Sequence, residues 1–316
     1  MSNVYIKVAV LGFSSLLICQ QGYAEPKVSV HADLGAYYFS EKNSSGNDTS
    51  NLSGNGVNQL EVKVKHLLDE GVELYGEIEV DFDPIQNNDT VETDDVKLGF
   101  KGNFGNFVVG QFDSRFEDKI AEALDRANGE YGKVSELASD NDGRHIQISN
   151  QFGSASIYMD LTYAGDSTEE DQDIGTSFTF SYPFENGEFI FGLAQINEYA
   201  DDDGSANSNK DAAGIVFEYE ISEATDLALA YSNSESTAGL KTRHAGLAIT
   251  QELSDDVQVS LVYQDVKVDG SEDTNEYSFN LSYEPYKNLT VYADFLSLGA
   301  TNDAGDAMET GIRYKF

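Results

Sequence analysis

From Lys27 to the C-terminus the apolar residues of this chain fall on every second position, the period of a strand with one apolar face. Val28, Val30, Ala32, Leu34 and Ala36 alternate with Ser29, His31, Asp33 and Gly35. The same scheme returns in Val72, Leu74, Ile78 and Val80 against Glu73, Tyr75, Glu77 and Glu79, and again in Ala213, Ile215, Phe217, Tyr219 and Ile221. Val257, Val259, Leu261 and Tyr263 repeat it, as do Tyr277, Phe279, Leu281 and Tyr283. One face is apolar and aromatic throughout, the other polar or small, so the fold class is all-β.

The connections say which all-β fold. Long polar ones occupy roughly 41–56, 83–92, 113–143, 164–172, 198–210, 233–240, 268–274 and 299–306. Tight ones, such as Asp69-Glu70-Gly71, Glu185-Asn186-Gly187 and Pro285 to Asn288, come between them in strict turn. Eight long and seven short connections join about sixteen strands. An even number of antiparallel strands, with short turns at one end and long loops at the other, is the layout of a transmembrane β-barrel. In lipid only helices and closed barrels satisfy every backbone polar group, and no apolar run after the leader is long enough for a helix to span.

Residues 1–24 read as a secretory signal: Lys7, an apolar run from Val8 to Ile18, and Gly22-Tyr23-Ala24 before Glu25 as a small-x-small cleavage site. Residues 25–316 then form one barrel domain. The single cysteine, Cys19, leaves with the leader, so the mature chain has no disulfide and no thiol chemistry. A formal net charge of −37 excludes nucleic acid as a partner, because nothing could neutralise phosphates. Enzymatic readings fare badly: four histidines (His31, His66, His145 and His244), no mature cysteine and no Gly-x-Ser-x-Gly leave few nucleophile-base pairs. No catalytic residue, cofactor or metal site is expected; Asp201-Asp202-Asp203-Gly204 lacks the alternating ligands and late Glu of a calcium loop.

One connection is unlike the rest. Asp113 to Gly143 is about thirty residues without strand character, a length that is usually functional or disordered. Ser114 with Glu117 is a capping box, and Phe116, Ile120 and Leu124 recur at helical spacing before Asn128-Gly129. An ordered short helix inside a loop follows, folded into the barrel lumen so as to narrow it.

The terminal run Met308, Ile312, Tyr314 and Phe316 on one parity, the leader, the alternating connections and the loop entered through Val109-Gly110-Gln111-Phe112-Asp113 together resemble the Gram-negative general porins, especially those of marine γ-proteobacterial type. The resemblance implies a sixteen-stranded homotrimeric barrel in the bacterial outer membrane, among lipid and lipopolysaccharide, passing ions and small hydrophilic solutes, with Phe316 closing the barrel. The Pro-Glu-Phe-Gly-Gly signature of enteric porin loops is absent, and the facing wall is not a run of arginines.

If the apolar parity faces lipid, the other lines water. His31, Lys63, Lys65, Lys97, Lys101 and Arg313 then form the pore wall, on strands that neighbour one another once the barrel closes. The constriction loop offers Asp113, Arg115, Glu117, Asp118, Glu122 and Asp125. A basic wall facing an acidic loop would set a transverse field; the plainer reading is that the lysines pair with Glu61, Glu73, Glu77 and Asp33 on their own wall. The acid excess predicts cation preference, unless most of it lies on external loops, where it would suit a saline habitat or calcium bridging to lipopolysaccharide. A non-conducting surface barrel that binds a partner through its loops is the alternative function.

Overall fold

The computed structural model describes residues 25–42, 48–53, 58–68, 71–82, 91–129, 133–136, 144–164, 173–196, 209–236, 239–271, 273–299 and 305–316. The leader and the Asp201 to Gly204 stretch lie outside them, as do parts of most long connections. The strands are β1 (Lys27–Lys42), β2 (Asp48–Ser53), β3 (Gln59–Leu67), β4 (Glu73–Phe82), β5 (Val91–Gly102), β6 (Gly105–Gln111), β7 (Arg144–Phe152), β8 (Ala155–Ala164) and β9 (Asp173–Phe184). They continue as β10 (Gly187–Ile196), β11 (Asn209–Ser222), β12 (Thr225–Ser236), β13 (Lys241–Ser254), β14 (Val257–Val268), β15 (Thr274–Tyr286), β16 (Leu289–Leu298) and β17 (Ala307–Lys315).

These seventeen segments fill sixteen positions in a closed antiparallel barrel, because β2 and β3 share one side of β1. Tyr37 to Lys42 pair with Ser53 to Asp48, and Lys27 to Asp33 pair with Lys65 to Gln59. Half of the first long connection, expected over 41–56, is therefore strand, at 41–42 and 48–53. At the break the buried Asn58 takes over the ladder: its Oδ1 accepts from Gly35 N at 2.9 Å and its Nδ2 donates to Gly35 O at 3.1 Å. An amide side chain can present an N–H donor and a carbonyl acceptor side by side, which is what a missing residue's backbone would have offered.

On its other side β1 pairs with β17, from Asp33 against Lys315 to Glu41 against Ala307, and this seam closes the sheet. Phe316 adds a reciprocal pair of backbone hydrogen bonds with Ala32, 2.8 and 2.9 Å long. A closed sheet has no edge strand, so every ladder group finds a partner. The short turns stay tight; Asn288, at φ 71°, is the one non-glycine residue in left-handed backbone among those described, and it turns β15 into β16.

Parity is as the pattern predicts. Val28, Val30 and Leu34 on β1, Val96, Leu98 and Phe100 on β5, Ile215, Phe217 and Tyr219 on β11, and Met308, Ile312 and Tyr314 on β17 all face outward and are exposed. Arg144, first in β7, shares the outward parity of Ile146 and Ile148. The buried apolar cluster lies inside the barrel, where Phe116, Ile120, Leu124 and Val134 of the long loop meet Ile190, Ala194, Ala212, Val216, Ala228, Ala230, Ala248 and Val262 of β10 to β14.

Candidate pore constriction

The long loop leaves β6 at Gln111 and turns at once into the lumen. Phe112 is wedged there, its ring 5.2 Å from that of His145 and 5.7 Å from Lys97 Nζ. The capping box forms on its serine side, Ser114 Oγ accepting from Glu117 N at 3.1 Å. Helical backbone follows, but it is shorter than the spacing suggests. It widens to π geometry over Glu117–Ala121, with Glu122 N donating to Glu117 O, and then unwinds.

The apolar stripe explains where the helix lies. Lumen positions on β10, β11 and β13 are Gly192, Gly214 and Gly246, and side chains there would run into Phe116, Ile120 and Leu124 respectively. Each glycine has an alanine at one neighbouring lumen position, Ala194, Ala212 or Ala248, and β12 adds Ala228 and Ala230, so β10 to β13 offer a shallow apolar trough rather than a polar wall. Removing three large apolar side chains from water contributes about 1.5–3 kcal/mol each. That is why this stretch docks on the wall instead of extending into the channel.

Polar contacts hold the ends. Lys119 pairs with Glu188 at 3.3 Å and Arg126 with Glu218 at 3.9 Å. Asp294 on β16 accepts from Asn128 N at 2.7 Å, Asn128 Nδ2 at 3.0 Å and Gly129 N at 2.9 Å. Farther on, Glu276 accepts from Ser135 N and Oγ at 2.7 and 2.6 Å, and Gln264 Nε2 donates to Ser135 O at 2.8 Å. The loop is thus fastened along an arc from β10 to β16, and its other face looks toward the wall that begins with β1, β3, β4 and β5.

The loop residues proposed from sequence separate in this geometry. Asp113, Asp118 and Glu122 are exposed on the lumen side, whereas Glu117 is buried at 3 %, its carboxylate within 4.8 Å of those of Glu122 and Glu136. Asp125 serves the turn, accepting from Ala127 N at 2.9 Å and facing Lys133 at 3.6 Å. Arg115 lies over the Tyr158 ring, 5.0 Å from its centroid. Enclosure by the barrel, followed by the like charges of Asp118, Asp95, Glu122 and Asp94, pushes Asp113 up to about 6 although its surface opens onto the lumen. Burial likewise raises Glu122, against the opposing pull of Lys133.

The wall residues all point inward. His31, Lys63, Lys97 and Arg313 lie on β1, β3, β5 and β17, with Lys65 and Lys101 nearer the short-turn end. Lys63, Lys97 and Arg313 are paired with carboxylates. Lys63, Glu77 and Lys97 stand in one cross-strand row, Glu77 being 3.5 Å from Lys63 and 3.3 Å from Lys97. Lys63 also meets Glu61, Lys97 meets Asp95, and Arg313 meets Asp33. For Lys63, Lys97 and Arg313 the geometry is that of the plainer reading, pairing with carboxylates of their own wall. Glu79 and Asp94 on this wall, and Asp113 opposite, make no ion pair among the described residues. The water-facing surface at this level carries net negative charge.

Several residues of the site carry no distinguishing pattern in the sequence. Asp294, Glu276, Glu188 and Glu218 were ordinary inward carboxylates, and Tyr158 an ordinary lumen aromatic. The small-residue trough was legible in principle, because Gly192-x-Ala194, Ala212-x-Gly214-x-Val216, Ala228-x-Ala230 and Gly246-x-Ala248 put small apolar residues on the lumen parity of successive strands.

A closed sixteen-position barrel narrowed by its third long loop is what the porins share, and the family model described as Gram-negative porin matches residues 8–315. The chain belongs to that family. Its place is therefore the bacterial outer membrane, with the outward apolar parity against lipid. The match is to Gram-negative porins as a whole rather than to a marine type.

Solved structures agree on the fold. The chain superposes on OmpTdeltaL8, the loop L8 deletion mutant of the Vibrio cholerae outer membrane protein OmpT, with TM-score 0.70 at 15 % identity over 92 % of this chain and 99 % of that one. An anion-selective porin from Comamonas acidovorans gives 0.68 at 15 % identity, covering 92 % and 100 %. A substituted Rh. blastica porin gives 0.67 at 14 % identity, again covering 92 % and 100 %. No curated protein sequence matches this porin.

Proposed function

We propose that this porin is a passive diffusion channel for ions and small hydrophilic solutes that prefers cations, exported by its leader and assembled as a homotrimer among outer-membrane lipid and lipopolysaccharide. The supporting observation is the charge balance where the loop narrows the lumen. Lys63, Lys97 and Arg313 are each neutralised by carboxylates, while Asp113, Glu79 and Asp94 make no ion pair among the described residues. A constriction ringed by unbalanced carboxylates concentrates cations and repels anions. Filtering by size and charge needs no chemistry.

The test is conductance of the purified protein in a planar bilayer under a tenfold salt gradient. Stepwise conductance with a reversal potential on the cation side is expected, and Asp113→Asn with Asp118→Asn should move it toward zero. An anion-side reversal potential would keep the channel and overturn the charge argument. A protein that never conducts would overturn the diffusion reading itself.

A further inference from the structure

Arg115 begins the docked segment of the loop, and its backbone and side chain are held by different partners. The backbone N–H donates to the Asp160 carboxylate, which Gln147 Nε2 and Ser177 Oγ fix at 2.7 and 3.1 Å. The side chain turns onto β8, its guanidinium carbon 5.0 Å from the centroid of the Tyr158 ring, and Nη1 donates to Asp118 Oδ2 at 3.1 Å. Its Nε donates to nothing among the described residues. The two charged side chains are 30 % and 44 % exposed, so this pair stands in the water of the lumen rather than in the packed trough.

We infer that the Tyr158 face and the Asp118 carboxylate form a subsite for the guanidinium or primary ammonium group of a permeating solute, with Arg115 as its displaceable internal occupant. This rests on the channel reading above and names a class of permeant for it. A planar cation over an aromatic face, with a carboxylate at its edge, is how a guanidinium is bound. The ring and carboxylate stay in place when the arginine leaves, because β8 carries Tyr158 and the loop helix carries Asp118.

The present occupant is held weakly. A partly exposed ion pair three residues apart and a cation over a partly buried ring are each small contributions. Arg115 is tethered, so its local concentration is high, yet an incoming guanidinium at moderate concentration can replace it. Asp113 beside Asp118 adds negative potential to the vacated position. A small hydrated cation gains the carboxylate but little from the ring, which gives the subsite chemical preference as well as charge preference.

The experiment is block of the sodium current through the purified full-length protein by guanidinium chloride, titrated in a planar bilayer. Arg115→Gln should lower the half-blocking concentration about tenfold, the gain from removing an occupant that fills the site some nine-tenths of the time. Arg115→Gln with Tyr158→Leu has the charge of the single variant and should return the block to the weak level of the unmodified protein. If Arg115→Gln does not assemble, Arg115→Lys keeps the charge, loses the planar stack and should give a smaller shift in the same direction. Equal half-blocking concentrations for the unmodified protein and the arginine variant would overturn the subsite while leaving the channel. So would a double variant that blocks as the single one does. Absence of any conductance would overturn the channel reading and this proposal together.

Discussion

Ile120 lies against Gly214 so closely that any side chain at position 214 would take the space of its methyl group. Gly214→Val should therefore push the loop helix off the wall and into the open lumen. Overpacking a fitted site costs about 1–3 kcal/mol, too little to unfold a barrel but enough to displace a short segment. Single-channel conductance should fall and open-channel noise rise. Ile120→Ala in the same chain returns the lost volume and should restore most of the conductance. If Gly214→Val conducts as the unmodified porin does, the apolar trough does not position the loop.

The far end of the loop hangs on one carboxylate. Asp294 accepts from three donors of Asn128 and Gly129, and Asp294→Ala would leave all three without a partner. The cost is about 1–3 kcal/mol for unmet buried donors. Amide exchange at Asn128 and Gly129 should quicken by roughly ten- to a hundredfold, since each 1.4 kcal/mol is a factor of about ten. Asp294→Asn keeps one acceptor and should give a smaller change. Unaltered exchange in Asp294→Ala would mean that the trough alone holds the loop.

How far the sequence reached can be judged from particular residues. Alternation placed His31, Lys63, Lys97 and Arg313 on the lumen side, because a strand's period of two leaves a side chain only two directions. Connection lengths put the constriction after β6. What alternation does not fix is which inward residues meet across the lumen. Glu117, expected as an open constriction charge, is buried next to the docked stripe of Phe116, Ile120 and Leu124. The helix ends at Ala121 rather than near Asn128, since wall contacts and the Asp294 anchor replace the helical bonds there. The strand β2 is not legible as one because Asp48-Thr49-Ser50-Asn51 has no apolar alternation; it pairs with β1 along the backbone, with Thr49 Oγ1 donating to Glu41 O at 3.3 Å.

Asp113 turns the acid excess into a pH dependence with a definite sign. An ordinary aspartate keeps its charge well below pH 5, but enclosure and the neighbouring carboxylates raise this one to about 6. Above that pH it is charged and adds to cation preference; below it the group is neutral and that contribution is lost. The reversal potential under a salt gradient should thus shift toward zero as pH falls through about 6, a range in which unshifted carboxylates do not titrate. Asp113→Asn should show at high pH the weaker preference that the unmodified porin reaches at low pH, and should lose most of the step near pH 6. Glu122, raised by burial as well, accounts for a remaining slope on the acid side. A reversal potential that stays flat across this range would separate the selectivity from the Asp113 carboxylate.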